Sequence, residues 1–234
     1  MGGPYTTILW DLDDTLLDFP YSQEYALKKC FQAIGREITE EQIACYSRIN
    51  DDYWKRLELG KITREELLTG RFAALFHAYG IEGVDVEAFH RKYEEALGSV
   101  FRFRDDGLAV VRFLQGRVGQ YVITNGMSTV ACSKYRISGL EEIMDGIFIS
   151  EEVGVPKPQT GFFQYCLERI PEKDKSRILV VGDSLTSDIK GGIQMGIPTC
   201  WYRHGDRTND TPWVPDHEIT NLHMVCDIAT SFRS

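Results

Sequence analysis

The stretch ILWDLDDTLLDF, residues 8–19, sets three carboxylates, Asp11, Asp13 and Asp14, directly behind an apolar run. Such an unbroken run suits a strand buried on both faces. Several acids gathered at its end repel one another in a partly buried place, and one or more must take up a proton unless a cation holds them. A hard divalent ion such as Mg2+, which prefers oxygen ligands and keeps waters and phosphate oxygens, removes the conflict. Asp11 and Asp13, two residues apart on leaving a strand, point the same way and flank one small group.

Further along the chain, TTILW is joined by QYVIT, GIFIS, RILVV and IPTCWY as apolar, β-branched runs, with HEIT a weaker sixth. Helical spacing over 128–138 and 161–169 separates the later runs. Strand and helix in alternation predict an α/β protein with a parallel sheet covered on both faces. Residues 21–98 differ: they hold no strand pattern and are dense in helix formers and aromatics, so a four-helix insert is expected between the first two strands. Thr63 and Glu66 form a capping box, and Gly60, Gly80 and Gly98 stand where helices stop. The expected organisation is a core from 1–18 and 99–234 with a helical domain at 19–98.

Ligands of an open parallel sheet bind beyond the carboxyl ends of its strands. The residues there are Asp11 and Asp13 after the first run, Thr124, Asn125 and Gly126 after the second, Lys157 after the third, and Asp183 with Asp188 after the fourth. This set predicts phosphoryl transfer. Asp11 is the expected nucleophile, forming an aspartyl phosphate, and Asp13 the acid that protonates the leaving oxygen and then activates water. Thr124 and Asn125 are placed at the phosphoryl oxygens, and Lys157 neutralises their charge. Asp11, Asp13 and Asp183 are expected to hold Mg2+, with Asp188 supporting them from behind.

The 234 residues carry 26 Lys and Arg against 35 Asp and Glu, a net charge of −9. That balance argues against a nucleic-acid polymer as partner, because such binding rests on neutralising phosphates. No segment approaches membrane-spanning length, and the six cysteines are widely spaced, as expected of a reduced cytoplasmic protein. The five histidines and six cysteines show no zinc-ligand spacing. A monomer or homodimer acting on a small phosphorylated metabolite is expected.

With D-x-D-x-T at residues 11–15, the strand end at Thr124, Lys157, and GDSLTSD at 182–188, the chain resembles the haloacid dehalogenase (HAD) superfamily of phosphohydrolases over essentially its whole length. The resemblance implies a Rossmann-like core, with the helical insert as a C1 cap that selects the substrate. LELGKITREELLTGRF, ISEEVGVPKP and SDIKGGIQMGIPTCWY further resemble the branch of house-cleaning pyrimidine 5′-nucleotidases, which implies nucleoside monophosphates as substrates. Sugar phosphatases, such as those acting on N-acylneuraminate 9-phosphate or phosphoglycolate, are the alternative. A 2-haloacid dehalogenase would waste Asp13, Asp183 and Asp188, and a phospho-receiver domain needs neither the insert nor Asp13. Tyr53, Trp54, Phe72, Phe76 and Tyr79 are candidates for stacking on a base, although Phe72 and Phe76, four residues apart, favour a core role. Lys61, Arg64 and Arg71 are candidates for meeting an anionic substrate, although a solvated helix face is the favoured reading.

Overall fold

The computed structural model describes residues 4–230. One compact unit runs to Asp18 and resumes at Phe101, and a second comprises Phe19–Val100.

The first unit is built on six parallel strands: β1 (Thr7–Trp10), β2 (Gly119–Thr124), β3 (Gly146–Ile149), β4 (Ile178–Gly182), β5 (Thr199–Tyr202) and β6 (His217–Ile219). Their order is β3-β2-β1-β4-β5-β6. The weak HEIT pattern is therefore a genuine edge strand. The chain runs outward from β1 to β3 and then returns to the other side of β1, which makes the carboxyl end of β1 the switch point of the sheet. Trp10 lies in register with Val122 and Val181, so the central strands finish together.

Side chains alternate between two cores, as the pleat requires. Ile8, Trp10, Val122, Leu179 and Val181 pack on one face. Leu9, Ile123 and Val180 pack on the other against Phe162, Phe163 and Cys166. The last three lie on the helix Thr160–Arg169. GGIQMG falls within the helix Lys190–Met195 and its left-handed cap at Gly196. A Cβ at Gly191 would stand 2.1 Å from the Phe163 ring, so glycine there permits the close helix packing.

The second unit comprises α1 (Phe19–Ala33), α2 (Glu40–Glu58), α3 (Arg64–Ala78) and α4 (Val86–Gly98). Thr63 and Glu66 form the expected capping box on α3, and Thr39 with Gln42 forms another on α2. Phe31, Tyr46, Phe72, Phe76, Phe89 and Tyr93 are buried together. Phe72 and Phe76 are thus core residues of this unit. Arg71 departs from the sequence expectation: it is 3% exposed, not part of a solvated face.

Candidate active site

Immediately beyond β1, the Asp11 amide continues the ladder by donating to the Val181 carbonyl at 2.9 Å. Its side chain therefore leaves the sheet at the switch point, where it is almost fully buried. Lys157 donates from Nζ to Asp11 Oδ1 and to Asp188 Oδ1, each at 2.7 Å, and to the Ile123 carbonyl at 2.9 Å. All three donor positions of the ammonium are thereby used. Thr15 Oγ1 donates to the other Asp11 oxygen at 2.8 Å and accepts from the Asp183 amide at 3.1 Å, tying the β1 and β4 ends together.

Asp188 sits one turn into the segment after β4, inside the π-helical turn Leu185–Ile189. The Ser184 amide donates to its Oδ2 at 3.2 Å. Gly182 makes room for it, since a Cβ there would stand 2.3 Å from the Asp188 carboxyl carbon. Asp183 Oδ2 accepts from Arg207 Nη1 at 2.6 Å, and His204 Nε2 lies 3.8 Å away.

Thr124, at the end of β2, is buried, and its hydroxyl accepts from the Gly126 amide at 3.0 Å. The Asn125 side chain turns to Lys157: its Nδ2 donates to the Lys157 carbonyl and its Oδ1 accepts from the Lys157 amide, both at 2.9 Å. Asn125 thus fastens the backbone that carries the lysine. Asp13 is partly exposed and accepts from Lys134 Nζ at 2.8 Å. Lys134, fully buried on the helix Ser128–Ile137, is a site residue that sequence reasoning missed. Asp14, at φ +66°, accepts from Arg104. That left-handed conformation is uncommon outside glycine and belongs to the tight loop between β1 and Leu17.

One oxygen from each of Asp11, Asp183 and Asp188 comes within 4.8 Å of the others. Asp14, Asp183 and His204 form a second such group. The Asp13 carboxylate, expected with Asp11 and Asp183 at the ion, accepts from Lys134 and is in neither side-chain group. Burial raises the Asp11 carboxyl well above its usual range; Lys157 opposes this, while Asp188 and Asp183 add to it. Burial likewise raises Asp188 despite Lys157. Burial works against the Asp183 anion too, but His204 and Arg207 outweigh it and hold that carboxyl below its ordinary range. Burial alone would lower the Lys157 ammonium, yet Asp11 and Asp188 carry it above its usual value. Three carboxylates, two of them buried and one partly so, against one buried lysine form an all-oxygen, electron-rich donor set, and a hard cation fits it.

A parallel α/β sheet that gathers carboxylates, a hydroxyl and a buried lysine beyond its switch point is the framework of a Rossmann-like hydrolase. The model of the haloacid dehalogenase-like hydrolase family matches residues 5–196, and the chain belongs to that family. It is 37% identical to the HAD-hydrolase YfnB of Bacillus subtilis over 96% of this chain and 95% of that one. It is 32% identical to the pyrimidine 5′-nucleotidase PynA of Streptococcus pneumoniae, over 95% of this chain and 94% of that one. To the pyrimidine 5′-nucleotidase YjjG of Escherichia coli it is also 32% identical, over 92% and 94%. The crystal structure of YfnB bound to magnesium superimposes with a TM-score of 0.91, covering 96% of this chain and 98% of that chain. The protein is therefore an enzyme, a hydrolase of this family. No helix among the described residues is long and apolar enough to cross a membrane.

Proposed function

We propose that this hydrolase is a Mg2+-dependent phosphomonoesterase working through an aspartyl phosphate on Asp11, with pyrimidine nucleoside monophosphates as its preferred substrates. The observation that carries the chemistry is the Lys157 ammonium held at 2.7 Å from both Asp11 and Asp188 within a group of three carboxylates. Asp11 and Asp183 would hold the ion, with Asp188 behind them. When bound, Mg2+ supplies positive charge to the carboxylates and to the substrate's phosphoryl oxygens.

Asp11 Oδ attacks phosphorus, and the bond to the leaving oxygen breaks. Lys157 keeps the attacking carboxylate oriented and offsets charge on the phosphoryl group. Asp13, held by Lys134 and absent from the three-carboxylate group, gives its proton to the leaving oxygen. It then takes a proton from the water that hydrolyses the acyl phosphate. Thr124 and the amides that open the helix Ser128–Ile137 suit the phosphoryl oxygens.

The nucleotide preference is supported by the two pyrimidine 5′-nucleotidases among the relatives. The helical unit Phe19–Val100 is read as the substrate-selecting cap, a reading supported by the interdomain movement described for YfnB. Six cysteines without a disulfide suit a cytoplasmic location. The test is kcat/KM for UMP, CMP, AMP, a sugar phosphate and phosphoglycolate, with and without EDTA. Highest values for UMP or CMP, lost in EDTA, are expected. A sugar phosphate at the top would overturn the preference, and chelator-insensitive turnover would overturn the metal.

A further inference from the structure

The helix Ser128–Ile137 opens without a cap of its own. Its N-cap residue is Met127, whose side chain makes no capping bond, so the first amides must find acceptors elsewhere. One acceptor stands 23 positions downstream: Glu151 accepts from the Ser128 amide at 2.6 Å, and Glu152 accepts from the Ser128 hydroxyl. Both glutamates lie on the short helix Ser150–Val153, which the Gly154 amide closes by donating to the Ser150 carbonyl at 2.9 Å. Gly154 takes φ +79°, a left-handed turn that glycine adopts without strain, and the chain reaches Lys157 three residues later.

The loop ahead of the helix is thus held at both ends by one downstream segment. At its start the Asn125 side chain bonds both backbone groups of Lys157, and at its end Glu151 and Glu152 hold Ser128. Between the two ties lies Gly126, whose amide donates to Thr124 Oγ1 at 3.0 Å. The glutamates themselves are exposed, and among the described residues neither bonds to Asp11, Asp13 or Lys157. A carboxylate on the first amide of a helix is nonetheless worth more than an ordinary surface contact, because the bond is charge-assisted and complements the helix dipole. If Glu151 merely filled a place suited to an anion, removing it would tighten phosphate binding. If it holds the loop, removing it would loosen that binding. The paired ties favour the second.

We propose that Glu151 is a positioning residue that acts through Ser128 to hold the phosphoryl-binding loop, residues 125–127, in register with Lys157. This rests on the phosphomonoesterase reading and deepens it: Glu151 tunes the hold on the phosphoryl group whatever the rest of the substrate is.

The experiment compares wild type, Glu151→Ala, Glu151→Gln, Ser128→Pro and the double variant Glu151→Ala with Ser128→Pro. The substrates are p-nitrophenyl phosphate, UMP and phosphoglycolate, and binding of inorganic phosphate in Mg2+ is followed by calorimetry. Ser128→Pro deletes the amide that Glu151 binds, yet proline suits a first helical position, and Met127 at φ −68° and ψ 137° already has the backbone of a residue before proline. In Glu151→Ala and in Ser128→Pro, KM for all three substrates should rise by a common factor of about 3–10, as for a lost helix cap, and phosphate should bind more weakly by the same factor. The double variant should be no worse than the weaker single, because both changes break one bond. Glu151→Gln keeps an acceptor and should recover most of the loss. Phosphate binding that is unchanged or tighter in Glu151→Ala overturns the proposal. So do additive losses in the double variant, a Gln variant as weak as Ala, a KM rise for one substrate alone, or a wild type that binds no phosphate. If Ser128→Pro does not fold, the Ala and Gln variants decide. If no phosphomonoester is cleaved, the phosphatase reading fails by itself, while phosphate calorimetry still decides the role of Glu151.

Discussion

Lys157 in the sheet unit and Arg71 in the helical unit are both cations withdrawn from water, yet their surroundings are opposite. Lys157 spends every donor on protein oxygens, two of them carboxylates at 2.7 Å. Arg71 has one neutral acceptor at 2.8 Å, two ring faces and a bare Nε. A buried cation matched by carboxylates is fixed in place before any substrate arrives, which is what charge stabilisation in a reaction requires. A buried cation held by ring faces and a neutral amide instead serves packing, and its charge is offset only in part. The sheet unit is therefore preorganised for chemistry, whereas the buried arginine of the helical unit belongs to its packing.

Breaking the sheet unit should cost activity while sparing the fold. Asp11→Asn removes the nucleophile, and kcat with p-nitrophenyl phosphate should fall about 10⁴-fold or more. The same variant relieves repulsion with Asp183 and Asp188, so its urea midpoint should equal or exceed that of wild type. Breaking the core of the helical unit should cost stability first. Phe72, fully buried against Tyr46, Phe89 and Tyr93, loses its contacts in Phe72→Ala, and stability should drop by about 3–5 kcal/mol in urea unfolding. Lys134 sharpens the contrast within the sheet unit. Lys134→Met leaves Asp13 without its 2.8 Å partner, and kcat should fall about 10²-fold, as expected when an acid–base group loses its orientation.

The smallest effect concerns pH. Burial, with help from Arg71 and Arg91, lowers the His90 imidazole to about 4. Its folded-state value lies below the unfolded value of about 6.5, so the unfolded chain binds the extra proton. The stability of the helical unit should therefore be full above about pH 6.5 and decline as pH falls toward 4. His90→Asn should flatten that decline in melts at pH 7 and pH 5. An unchanged slope would show that His90 does not carry it.

The strand-end residues Asp11, Thr124, Lys157, Asp183 and Asp188 were legible because strand order along the chain, not tertiary detail, decides where they arrive. HEIT was faint because an edge strand of three residues, partly exposed, has little apolar pattern to show. Lys134 was invisible for a different reason. A lysine on a short helix is solvated unless a particular acid comes within reach, and only the turn after β1 brings Asp13 there. Arg71 was misread on similar grounds, since three basic residues in one region look like a wet face until packing turns one inward. The Asn125 amide has the right shape to bond both backbone groups of Lys157, a pairing across 32 positions that spacing does not reveal.

The most direct test of the claim that Asp11 carries the phosphoryl group is rapid acid quench of the enzyme with ³²P-labelled UMP and Mg2+, followed by peptide mapping. Wild type should yield a hydroxylamine-sensitive label on the peptide containing Asp11, and Asp13→Asn should accumulate more of it. Steady release of phosphate with no labelled protein at any quench time, or a label on another residue, would contradict the account.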